Sequence, residues 1–376
     1  MKIGIFETEH FEGAYPVIRL FDTPQNELFI FTDNKTYKRF ADLFGTSTSR
    51  YQWKILQKGA LRLSFFWKFY RAVKKIKPDI LYINTISSNH LLFALVIRLV
   101  RPCRVVTTVH DINCLFQSKP AASLRILAHH LGKRLLLRWV KELNVVSDTM
   151  IPYLETQTKG TKVIHNVPGA VFDNYQHPGI SSNYFHLVIP GSIDRKRRDY
   201  AQVWALLQEA ETRQFPLYLT LLGGYSDGYG KSIINEAREF PTYFTHLRFY
   251  NTHIVDQHEF DQRLNEAHFI FIPSVVNTAI CHDIPEVYGI TKSSGNIFDV
   301  IKHAKPFIAP ATLKIPEKLS TSAFAYQSVE EIVNYLERLQ AQRSSYELLL
   351  QQALKNSGEY TTEKVRAANP TLFEAS

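Results

Sequence analysis

Apolar runs of four to six residues recur along the chain, each followed by a polar loop and then by a stretch with helical spacing. The first run, Ile3-Gly4-Ile5-Phe6, leads through the loop Glu7–Ala14 into a helix. Runs at 28–32 and 51–56 predict two more strands, and a basic amphipathic helix is expected over 61–76. Strands follow at 80–84 and 104–111, both with polar carboxyl ends, then at 143–146 and 161–166. A second alternating series begins at 186–191 and continues with strands at 217–222, 247–250, 269–274 and 306–309. A short strand at 323–326 and strong helical spacing over 329–356 complete it. Such alternation predicts parallel sheets wrapped by helices, because a parallel sheet needs a crossover between neighbouring strands.

The segment 173–183, with Pro178, Gly179 and paired serines, separates the two series and reads as a linker. The expected organisation is therefore an α/β chain of two Rossmann-like domains facing across a cleft. The first spans 1–177, the second 184–345, and a helical tail over 346–376 packs back on the first.

The richest stretch for chemistry lies between the strands at 269–274 and 306–309. Lys292-Ser293-Ser294-Gly295-Asn296 precedes an apolar helical pattern, Ile297, Val300, Ile301 and Ala304, so a serine can cap that helix. Free amides at such an end, the helix dipole and Lys292 all favour an anion, and Gly295 lets backbone approach it. An ordinary capped surface helix is the bland alternative.

Composition narrows the partners. The chain has 376 residues and a net charge of +9, which favours an anionic partner. The helix over 61–76 mixes Arg62, Lys68, Arg71, Lys74 and Lys75 with Phe65, Phe66, Trp67, Phe69 and Tyr70, a pattern suited to an anionic membrane surface or to packing on a sheet. Aromatic residues fall in strands and on helix faces rather than in a basic groove, which argues against nucleic acid. Cys103, Cys114 and Cys281 have no metal-ligand spacing and read as buried thiols. No apolar run has membrane-spanning length and the N-terminus enters a strand directly, so the expected location is cytoplasmic, at most peripheral at the inner membrane face.

Several segments in order carry a resemblance: the first-strand loop with Gly13, Thr108-Val109-His110-Asp111, Val163–Pro168, Ile189-Pro190-Gly191-Ser192-Ile193-Asp194-Arg195-Lys196-Arg197-Arg198, Phe271–Ser274, and Tyr288-Gly289 leading to Lys305-Pro306. Together they resemble the family 4-like glycosyltransferases of the two-Rossmann-domain (GT-B) type.

The resemblance implies a nucleoside diphosphate sugar, UDP-linked by expectation, held mainly by the second domain. A glycan or lipid-linked acceptor would lie on the first, and no metal or other cofactor is implied. The family's Gly-Arg pair becomes Gly191-Ser192 here and its following Lys becomes Arg197, so Arg195, Lys196 and Arg197 are the candidate diphosphate cations. Counting back from Lys305-Pro306 puts Asp299 at the family's second Glu, which holds the ribose. Thr291 stands at the first, and Glu286 is the nearest carboxylate that can take over its sugar contact. His110 matches a position beside the transferred sugar, with Asp111 as an alternative base. A nucleotide-sugar epimerase or phosphorylase, or a non-catalytic basic binding protein, is the competing expectation.

Overall fold

A computed structural model describes residues 1–56, 62–118, 123–173, 183–281 and 283–373. The first domain runs β1 (Lys2–Phe6), α1 (Phe11–Phe21), β2 (Glu27–Thr32), α2 (Asn34–Phe44), β3 (Gln52–Ile55), α3 (Arg62–Ile76) and β4 (Ile80–Ile83). It continues with α4 (His90–Leu99), β5 (Arg104–Thr108), α5 (Ile112–Phe116), α6 (Leu124–Trp139), β6 (Glu142–Val145), α7 (Ile151–Thr158) and β7 (Val163–Asn166).

The second domain runs β8 (Phe185–Pro190), α8 (Tyr200–Thr212), β9 (Leu217–Leu222), α9 (Gly228–Glu239), β10 (Thr245–Phe249), α10 (Gln257–Glu266) and β11 (Phe269–Phe271). A hairpin of β12 (Asn277–Thr278) and β13 (Glu286–Val287) precedes α11 (Gly295–His303), β14 (Phe307–Pro310), β15 (Ala323–Tyr326) and α12 (Val329–Ala341). Three helices close the chain: α13 (Arg343–Ser357), α14 (Thr362–Ala368) and α15 (Pro370–Phe373).

The first sheet is ordered β3-β2-β1-β4-β5-β6-β7 and the second β10-β9-β8-β11-β14-β15, with every neighbouring pair parallel. Each order reverses direction once, between β1 and β4 and between β8 and β11. At such a switch point adjacent loops diverge and leave a crevice at the carboxyl edge. Successive strand residues serve opposite faces. Ile3, Ile5, Leu28 and Ile30 enter one core of the first domain, whereas Phe6, Phe29 and Phe31 enter the other. Burial on both faces is why these strands read as unbroken apolar runs. The predicted two-domain parallel architecture is the observed one.

Some expectations are corrected. The predicted loop 7–14 is shorter, because α1 already begins at Phe11. The stretch 269–274 joins the sheet only over β11, with Ser274 making an isolated antiparallel bridge to Arg198, and the β12–β13 hairpin was not anticipated. The helix over 329–356 breaks at Gln342. The expected tail does not leave the second domain at 346: α13 stays there through buried Tyr346 and Ala353. Only α14 and α15 return to the first domain, where Val365 and Leu372 join its core. Arg366 donates to the carbonyls of Leu20, Arg19 and Asp22, occupying acceptors at the end of α1. Residues 174–182 of the predicted linker lie outside the described residues.

Candidate functional site

On the first-domain side the organising residue is Glu7, fully buried just after β1. Its Oε1 accepts from the amides of Glu9 and His10, and its Oε2 from Asn84 Nδ2 and Thr85 Oγ1, each at 2.7 Å. One carboxylate thereby joins the loops after β1 and β4, the two sides of the switch point. Asn84 in turn orients His110: its carbonyl lies 3.0 Å from His110 Nε2. A carbonyl only accepts, so Nε2 carries the proton and the lone pair is left on Nδ1. Burial, reinforced by the neighbouring His10, holds the His110 imidazole below its usual pKa and therefore neutral.

In the second domain β8 ends at Pro190 and the chain turns at Gly191, whose φ is 92°. A Cβ at Gly191 would lie 2.4 Å from Arg198 Nη2, so the guanidinium passes directly against this backbone. Arg198 is buried and donates to the Ser192 carbonyl at 2.7 Å and to that of Pro190. Of the four adjacent cations, this one is committed to the fold. Arg195 and Lys196 are exposed, and Lys196 reaches the Ala279 carbonyl at 2.9 Å and Asp283 at 3.5 Å. Arg197 is exposed and pairs with Asp194 at 3.1 Å.

The β13 strand presents Glu286 and continues into a tight turn. Val287 accepts the amides of Ile290, Thr291 and Lys292, and Thr291 Oγ1 accepts from the Val287 amide at 2.8 Å. Thr291 is thus buried turn structure, not a sugar-facing group. Gly289, at φ 81°, is required: a Cβ there would lie 2.0 Å from the Lys314 carbonyl oxygen. Ser294 occupies the N-cap of α11 but its side chain makes no capping bond, contrary to the expected serine cap. The neighbouring Asn296 Nδ2 donates to the Pro190 carbonyl at 2.8 Å, bringing the start of α11 against the Gly191 turn. Gly295 is exposed, and no heavy atom lies within contact of a Cβ built on it. Asp299 is one turn inside, and burial pushes its carboxyl up to about 7.

The two domains meet through these same segments. Asp111 accepts from Lys292 Nζ, the Ile112 amide donates to the Thr291 carbonyl at 2.8 Å, and Asn113 Nδ2 donates to the Pro285 carbonyl at 2.9 Å. Cys114 donates its amide to Glu286 Oε1 at 2.7 Å. Glu286 is 1% exposed, and its Oε2 has no hydrogen-bond partner among the described residues. Burial raises its pKa.

Lys133 of α6 reaches into this junction, donating to the Cys114 carbonyl. Burial brings its ammonium down to about 8. Cys114 and Cys281 form a disulfide with Cα atoms 6.2 Å apart, which corrects the reading of all three cysteines as thiols. Their separation of 167 residues hid a pairing that the fold brings together across the domains. Cys103 remains a thiol, half-buried.

The structure therefore gathers His110, Asp111, Glu286 and Lys292 at the junction, with Ser293 and Ser294 leading into the adjoining helix and Gly295, Asn296 and Asp299 on it. Gly13 lies in the first turn of α1, where a Cβ would meet Asn84 Nδ2 at an ordinary 3.5 Å, so no close backbone approach within the chain requires it. Among the described residues no group of three His, Cys, Asp or Glu could hold a metal ion. The roles of Glu7, Arg198 and Lys133 were not read from the sequence, because each rests on the burial of a single charge, which leaves no pattern there.

Residues 25–167 match the model of Glycosyltransferase Family 4. Sucrose-phosphate synthase from Thermosynechococcus elongatus superimposes with a TM-score of 0.65 at 14% identity, covering 99% of this chain and 98% of that one. The fold is GT-B. HepE from Anabaena, solved with UDP and glucose, gives a TM-score of 0.61 at 11% identity over 100% of both chains. UDP-GlcNAc 2-epimerase from Neisseria meningitidis, solved with UDP-GlcNAc, gives 0.57 at 11% identity, again over 100% of both. No curated protein sequence matches the chain. The resemblance to family 4-like glycosyltransferases is carried in sequence by residues 25–167, and the solved structures extend the GT-B fold over the whole chain.

Proposed function

We propose that the protein transfers a sugar from a nucleoside diphosphate sugar, UDP-linked in the first instance, to a glycan or lipid-linked acceptor. The observation that carries this reading is the junction itself. An N-terminal helix end without a side-chain cap, exposed Arg195 and Arg197, Lys196 and Lys292 lie on the second-domain side, opposite a neutral histidine on the first.

Negative charge develops on the departing diphosphate, and cations and helix-end amides stabilise it where it forms. In this reading Arg195, Lys196, Arg197 and Lys292 with the Ser293–Asn296 segment and the Gly191 turn hold the diphosphate. Asp299 accepts from the ribose, and Glu286 Oε2, buried here without a partner among the described residues, accepts from a sugar hydroxyl once the turn after β13 opens toward the donor. His110 Nδ1 accepts from the sugar or acceptor hydroxyl, with Asp111 beside it. No metal is needed for the step.

Solved epimerases share the fold, so the same chain can be read as isomerising its nucleotide sugar. Incubation with UDP-sugars and a mixed glycan and lipid-linked acceptor pool separates the two readings. Release of UDP with loss of sugar from the donor supports transfer, whereas a nucleotide sugar of altered configuration without acceptor supports epimerisation. An unchanged donor in every mixture contradicts both.

A further inference from the structure

The net positive charge arises in one part of the chain. Residues 61–141 hold 15 Lys and Arg against two Asp, whereas the remainder holds 29 Lys and Arg against 33 Asp and Glu. This stretch contains α3, α4 and α6, which contact one another in that order and cover the same face of the first sheet.

Their inward residues are core: Phe66, Phe69 and Val73 of α3, Phe93 and Ile97 of α4, and Leu136 of α6. The outward residues are not polar throughout. On α6, Leu124, Leu127 and Leu131 form an exposed stripe, with Leu124 84% accessible, and the same helical face continues as Arg134 and Arg138. On α4, Leu95 and Leu99 are exposed beside Arg98 and Arg101. On α3, Leu63 and Trp67 are exposed, Trp67 by 59%, ahead of Lys68, Arg71, Lys74 and Lys75. The membrane pattern expected of α3 alone is thus spread over three helices, while most of the aromatic half of α3 is core.

Topology gives the patch a direction. Helices that connect parallel strands start at the carboxyl edge of the sheet and return to the opposite edge. Leu63, Trp67, Leu124 and Leu127 therefore lie toward the edge bearing His110, and Lys74, Lys75, Arg138 and Lys141 lie toward the far edge.

We infer that this face docks on an anionic lipid bilayer, the leucines and Trp67 entering the headgroup boundary and the Lys and Arg residues contacting lipid phosphates. Charge selects this occupant: a second copy of the chain would set like charges against each other, and a nucleic acid would leave the leucine stripe without a partner. The surface stands independently of the transferase reading, since it uses no residue of the junction.

Co-sedimentation with vesicles of equal parts phosphatidylglycerol and phosphatidylcholine tests it, against phosphatidylcholine alone, at low and high salt. The protein is expected to pellet with the anionic vesicles at low salt and to shift its Trp fluorescence to the blue, a shift reduced in Trp67→Phe. Each cation at an anionic surface contributes roughly fivefold to partitioning. The triple variant Arg98→Gln, Arg134→Gln, Arg138→Gln should thus bind on the order of a hundredfold more weakly, and Leu124→Ser with Leu127→Ser at least about tenfold. All five positions are solvent-facing, and unchanged melting of the variants confirms their fold. Absence of vesicle binding at low salt, equal binding of both lipid mixtures, or unaltered binding of both variants overturns the proposal. So does wild-type self-association, or binding to an arbitrary DNA duplex, that the leucine variant abolishes without any vesicle binding.

Discussion

Asp299 offers a quantitative test, because its carboxyl titrates at about 7 where the free group titrates at 3.8. The cause is desolvation on α11, beside the Gly191 turn. If ribose hydroxyls donate to this group, only its ionised form binds fully. Between pH 8 and pH 6 the ionised fraction falls from about 0.9 to about 0.1, so the dissociation constant of a nucleotide sugar should rise about tenfold, or about 1.4 kcal/mol. A nucleotide sugar suits the titration, since its diphosphate diester does not change charge in that range. In Asp299→Asn the dependence should flatten. The apo protein should show the opposite trend. A carboxyl whose folded pKa is raised contributes stability that is full below about 4 and lost as pH rises through about 7. The wild type should therefore gain melting temperature on acidification from pH 8 to pH 6 relative to Asp299→Asn. Calorimetric titration at pH 6, 7 and 8 reads the first effect and differential scanning the second. Equal slopes in wild type and Asp299→Asn would refute the ribose assignment.

Further predictions concern neighbouring groups. Arg197→Ala removes a guanidinium–phosphate contact of about 2 kcal/mol and should weaken UDP binding roughly thirtyfold by calorimetry; unchanged affinity would count against the diphosphate role. Glu286→Gln keeps an acceptor for the Cys114 amide but alters the free oxygen. Turnover at saturating donor should fall roughly a hundredfold with melting little changed, whereas intact turnover would leave Glu286 only a structural partner of Cys114. Gly289→Ala combines positive φ with the Lys314 carbonyl and should cost about 2–4 kcal/mol in chemical denaturation; an unshifted midpoint would mean that this turn gives way easily.

Much of the fold is legible in the sequence because buried parallel strands read as apolar runs, and helical periodicity between them is hard to mistake. The β12–β13 hairpin is not, since strands of two residues carry no period. At the site, strand ends picked out His110 and Asp111, and the small polar segment picked out the start of α11. Asp299 came from counting back from Lys305-Pro306, and the structure shows it desolvated there. The four cations from Arg195 to Arg198 look alike in sequence, yet burial reserves Arg198 for the Pro190 and Ser192 carbonyls. Glu7 is one acid at the end of a strand until the fold brings Asn84 and Thr85 to it. The Cys114–Cys281 link depends on the domains meeting and has no local trace.

The most direct measurement is calorimetric titration of the purified protein with UDP, GDP, ADP, TDP and CMP, with UMP as control and EDTA present throughout. The account predicts saturable binding of one diphosphate, foremost UDP, clearly tighter than UMP and undiminished by EDTA, and weakened roughly thirtyfold in Arg197→Ala. Absence of binding by every nucleotide would contradict it, leaving the GT-B fold without a donor.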